Sequence, residues 1–111
     1  MNRQAVLSSL IQFNEPVTLL KVALEPFPWD SDKPLVTLTS RDIVAVLQRF
    51  AAGEFGAIVL EEWANLVECR EDIEYEPDRR DAISDAIFQL ANPTLHAPLV
   101  TQVPKIISSL R

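Results

Sequence analysis

The stretch Gly53–Glu76, GEFGAIVLEEWANLVECREDIEYE, most constrains what this chain can become. Gly53 breaks whatever precedes it. Val59, Trp63, Leu66 and Val67 then recur at i, i+4, i+7 and i+8, which is one face of an α-helix. Trp63 carries the largest apolar surface on that face, so neighbouring helices must pack around it. The same stretch then empties into the densest acidic segment of the chain. The expectation is a mainly α protein, a single domain over 1–111 built as a small bundle of about five helices.

The remaining elements are read from the same periodicity. Residues 2–13 read as a short helix with Asn2 as cap and Val6, Leu7, Leu10 and Ile11 as its stripe. Asn14-Glu15-Pro16 ends it, because the residue before a proline is pushed out of the α region. VTLLKVAL, which follows, is apolar and partly β-branched, and reads as a short helix or a strand. A short strand pair near 18–24 and 35–38 is one alternative. EPFPWDSDKP is a proline-interrupted loop. Trp29 inside it is expected to tuck onto the core.

The clearest helix entry is at Thr39, where Asp42 completes the spacing of a capping box and Ser40 competes as cap. Ile43, Val46, Leu47 and Phe50 form the stripe, Gly53 supplies the left-handed stop, and the helix is placed at 40–52. A helix at about 56–69 follows, with Phe55 plugging the corner between the two. Pro77 suits the first turn of a helix over 78–91, whose stripe is Ile83, Ala86, Ile87 and Leu90. Thr101 caps a last helix with the stripe Val103, Ile106, Ile107 and Leu110, and Pro104 is expected in its first turn.

Charge narrows the functional classes. Ten basic against sixteen acidic side chains leave a net −6. Phosphate binding needs a surplus of Lys and Arg, so nucleic acid is not an expected partner, and neither is an anionic membrane surface. A basic protein partner fits. The one cysteine, Cys69, excludes an intramolecular disulfide and a Cys-based zinc site, and it suits a reducing cytoplasm. No secretory signal and no membrane span are expected, since no window approaches about eighteen continuous apolar residues.

Between residues 61 and 81 lie nine carboxylates and three arginines, so this segment carries the net charge of the whole chain. Three readings compete: a solvated face, a docking patch for a basic protein, and a divalent metal site. Asp72, Glu74 and Glu76 alternate as calcium-loop ligands can, but the glycine turn and distal glutamate of an EF-hand are missing. The partner-binding candidates are Glu68, Glu71, Asp72, Ile73, Glu74, Tyr75 and Glu76. Glu71, Asp72, Glu74 and Glu76 are expected to be mostly exposed, with Tyr75 or Ile73 at the rim. Cys69 ends a helix, where the macrodipole disfavours a thiolate, and reads as a small filler. His96 is the only histidine and reads as a loop residue. No serine sits in a nucleophile-elbow context, and two glycines build no phosphate loop. No catalytic residue, cofactor or metal is expected.

Leu38-Thr39-Ser40-Arg41-Asp42-Ile43, Arg49-Phe50-Ala51-Ala52-Gly53-Glu54, Glu62-Trp63-Ala64-Asn65, Arg70-Glu71-Asp72-Ile73, Leu90-Ala91-Asn92-Pro93 and Pro98-Leu99 together resemble a group of small uncharacterised bacterial helical proteins, over about 34–111. A weaker similarity is to helical bacterial toxin-immunity proteins, which also pair a residue-Gly-Glu break with an aromatic-bearing helix and an acidic face. That similarity implies an interaction protein that binds and neutralises a basic bacterial toxin or enzyme. The alternative is a small enzyme, or a ligand- or metal-binding accessory protein, with its site near Trp29, Tyr75 and His96.

Overall fold

Residues 2–95 and 97–111 are described in the computed structural model of the chain. The fold is mainly helical with a short two-stranded parallel sheet. In chain order the elements are α1 (Arg3–Gln12), α2 (Val17–Leu24), β1 (Val36–Leu38), α3 (Ser40–Ala51), α4 (Ala57–Val67), β2 (Ile73–Tyr75), α5 (Arg80–Ala91) and α6 (Leu99–Leu110). A 3₁₀ turn at Pro77–Arg79 leads into α5, with Pro77 in its first position.

The capped helices begin where their side chains supply acceptors for free amides. Asn2 Oδ1 accepts from the Ala5 N–H at 2.8 Å and starts α1. Thr39 Oγ1 accepts from the Asp42 N–H, and Asp42 Oδ2 accepts from the Thr39 N–H, so the capping box at α3 is complete in both directions. Gly53 then takes φ +86°, a left-handed value that glycine adopts at no steric cost.

The ambiguous VTLLKVAL is helix α2, not a strand. The strand at Val36–Leu38 therefore pairs with a segment much later in the chain. Its register is Val36 with Ile73, Thr37 with Glu74 and Leu38 with Tyr75. A parallel pair needs a long crossover, and here α3 and α4 provide it. Residues 73–75 of the acidic segment are thereby paired with the strand that precedes α3.

Trp63 is fully buried, and its Nε1–H donates to the Leu10 carbonyl at 2.7 Å, tying α4 to α1. The buried face of α4 is Leu60, Trp63, Ala64 and Val67; Val59 and Leu66 flank it and are only partly buried. Phe13 closes α1 at φ 48°, and its ring lies 5.1 Å from Phe55 and 6.1 Å from Trp63. Phe55 fills the corner after α3, 6.2 Å from Phe50, and the Arg49 guanidinium lies over both Phe13 and Phe55.

Two local expectations are corrected. Trp29 does not tuck in: it is 65 % exposed. Phe27 and Leu35 pack against the core around it, and the loop backbone is held through the carbonyls of Pro28, Trp29 and Asp30. The last helix starts at Leu99, before Thr101, whose N–H donates to the Pro98 carbonyl. Pro104 consequently lies in the helix interior, where its missing N–H leaves the Val100 carbonyl without a helical partner. Val100 is exposed, so water can take that role. Among the described residues no helix is long and apolar enough to cross a membrane.

Candidate functional site

The acidic segment divides into residues committed to the fold and residues left at the surface. Asp72, expected to be exposed, is fully buried. Its carboxylate receives the Arg70 guanidinium as a fork, with Nε to Oδ1 and Nη2 to Oδ2, both at 3.0 Å. Arg3 Nε from α1 donates to Oδ2, also at 3.0 Å. The Asp72 backbone carbonyl accepts from the Leu35 N–H at 2.8 Å and the Val36 N–H at 3.3 Å. Burying a carboxylate is costly unless it is paired and hydrogen-bonded, and here both conditions hold.

The two arginines also anchor the exposed loop. Arg3 Nη2 donates to the carbonyls of Pro28 at 2.8 Å and Asp30 at 2.9 Å, and Arg70 Nη2 donates to Pro28 at 3.2 Å. The Glu71 N–H donates to the Trp29 carbonyl at 2.9 Å. Asp72 is thus the joint between α1, the proline loop and the entry to β2. Glu76 is also engaged: its Oε1 accepts from the Ser40 N–H at 3.0 Å and lies 3.3 Å from Ser40 Oγ, at the first turn of α3.

Glu68, Glu71, Ile73, Glu74 and Tyr75 gather around one open groove of about 580 Å³, walled on its far side by Arg80, Ser84, Ile87 and Phe88 of α5. Glu71 is exposed, Glu68, Glu74 and Tyr75 are half-buried, and Ile73 is buried in the floor. Burial pushes the Tyr75 phenol above its usual range, and the nearby Glu68 carboxylate and Cys69 push it further in the same direction. Three carboxylates, Glu68, Glu71 and Glu74, thus stand at this mouth, with Arg80 on the opposite wall and Arg70 committed to Asp72.

Cys69 is no filler. It is exposed, takes φ 68°, and lies between the groove and a second cleft of about 370 Å³ lined by Val17, Lys21, Trp29, Glu62 and Leu66 among others. A left-handed residue there turns the chain out of α4 toward Arg70. Trp29 and Tyr75, grouped by the alternative reading, line different clefts. His96 lies outside the described residues. Among the described residues no three His, Cys, Asp or Glu side chains cluster so as to hold a metal ion. The links of Asp72 to Arg3 and of Glu76 to Ser40 were hidden from sequence because those partners are 69 and 36 residues away.

Comparison with protein-family models, with curated proteins and with solved structures found no match to this chain.

Proposed function

We propose that this is a protein-interaction module of immunity type, which binds a basic bacterial toxin or enzyme through the groove beside β2. The observation that carries the reading is the division of labour among the carboxylates. Asp72 is balanced by two arginines and Glu76 serves a helix start, while Glu68, Glu71 and Glu74 surround an open groove with a partly apolar floor. Like charges gathered around a recess repel one another, and a positively charged partner relieves that repulsion. A half-buried tyrosine and an exposed aromatic at such a recess suit a contact centre rimmed by charge.

The test is affinity capture from the native host with wild-type protein and with the double variant Glu71→Lys/Glu74→Lys. The expected result is a basic protein retained by the wild type and lost by the variant, with both proteins equally folded by circular dichroism. Equal retention by the two would remove these carboxylates from the binding surface. Capture of an acidic protein by this face would contradict the reading outright.

A further inference from the structure

We infer that the outer edge of β2 accepts an added strand, supplied by an extended segment of the partner in which basic and apolar side chains alternate. The inference deepens the proposed function and rests on it. It starts from the ladder. The Val36 N–H donates to the Asp72 carbonyl, and the Glu76 N–H donates to the Leu38 carbonyl at 2.9 Å. With Val36 opposite Ile73 and Leu38 opposite Tyr75, the parallel pattern turns the backbone groups of Asp72, Glu74 and Glu76 toward β1. Those of Ile73 and Tyr75 then point the other way. Among the described residues they meet no hydrogen-bond partner on that side.

The groove lies along this edge. Its lining includes all three residues of β2, from both faces of the strand, and none of β1. The facing wall, Arg80, Ser84, Ile87 and Phe88, is one stripe of α5 at i, i+4, i+7 and i+8. An unpaired strand edge is a template for another strand, and main-chain hydrogen bonds supply the affinity in such additions.

Side-chain alternation fixes the chemistry of the occupant. Thr37 and Glu74 stand on one face of the sheet, 3.5 Å apart at Oγ1 and Oε2, while Ile73 and Tyr75 stand on the face toward the core. A strand added beside β2 sends alternate side chains to these two faces. On one side they meet Glu74 and the acidic rim of Glu68 and Glu71, which selects Lys or Arg. On the other they meet Tyr75 and Phe88, which selects apolar groups.

The experiment uses the full chain and a panel of short peptides alternating Lys or Arg with Val, Ile or Phe, each made with free and with N-methylated amides at alternate residues. N-methylation removes strand donors while keeping charge and apolar side chains. The expected result is binding that weakens by about tenfold or more on N-methylation of the pairing residues. In the free protein the Ile73 and Tyr75 amides should exchange with solvent faster than that of Glu74, and the bound peptide should protect them. Equal binding by free and N-methylated peptides would overturn strand addition while leaving charge-driven docking in place. No binding by any basic peptide at about a millimolar, with an intact partner still captured through Glu71 and Glu74, would also overturn it and leave the proposed function standing.

Discussion

Replacing Asp72 with alanine should strongly destabilise the protein, although sequence alone places this residue on a solvated acidic face. The side chain is fully inaccessible, and that of its partner Arg70 is only 3 % exposed. Removing the carboxylate strands the Arg70 guanidinium in the interior, retaining only the Pro28 carbonyl at 3.2 Å. Breaking a buried pair in this way costs about 3–5 kcal/mol. A domain of this size has about 5–15 kcal/mol in total, so the loss is a large fraction of its stability. Arg3→Ala should cost less, about 1–2 kcal/mol, because the Arg3 side chain is 23 % exposed and water can reach what it leaves behind. The double variant Arg70→Met/Asp72→Leu, which removes both charges and keeps the volume, should recover much of the loss. Urea melts of the four proteins measure these differences. A loss below about 1 kcal/mol for Asp72→Ala would refute the placement of this carboxylate between two arginines.

Trp63→Ala should cost about 3–5 kcal/mol in the same melts, since the indole is wholly buried between α1 and α4; a loss under about 1 kcal/mol would contradict its central position. The single tyrosine makes its ionisation readable by ultraviolet absorbance. Its phenol should titrate above about 10 in the native protein and near that value in denaturant. With the folded value raised, the associated stability is present below the unfolded value and is lost as pH climbs through the folded one. A native midpoint at or below the denatured one would contradict burial beside Glu68. Calcium should give no saturable rise in melting temperature, because Asp72 is held by arginines and Glu76 by Ser40; a rise abolished by Asp72→Asn would reverse that account.

What was legible in the sequence was what is decided locally. The stripes of α1, α3, α5 and α6 emerged because helical burial repeats every three to four residues. The Thr39–Asp42 box was readable because both halves lie within one turn. Residues 17–24 were ambiguous because eight mostly apolar residues carry too little polar contrast to show a period. The pairing of Val36–Leu38 with Ile73–Tyr75 was invisible, since two three-residue strands separated by two helices leave no local signal. For the same reason the acidic segment was legible as a cluster but not as a mixture of roles. Charge density at Glu71, Asp72 and Glu74 looks uniform along the chain, and only the fold brings Arg3 to one of them. Trp29 shows the opposite failure: burial of indole is favourable in general, yet this loop is fixed by its carbonyls and leaves the ring outside.

The most direct test of the central claim, that Glu68, Glu71 and Glu74 serve a basic partner while Asp72 and Glu76 serve the fold, is the association rate with the captured partner across ionic strength. Wild-type association should slow steeply as salt rises and the Debye length shortens. Glu71→Lys/Glu74→Lys should associate slowly even at low salt, with a flattened salt dependence and a loss of stability no greater than about 1 kcal/mol. Association rates that are the same in wild type and variant, and unmoved by salt, would contradict the claim.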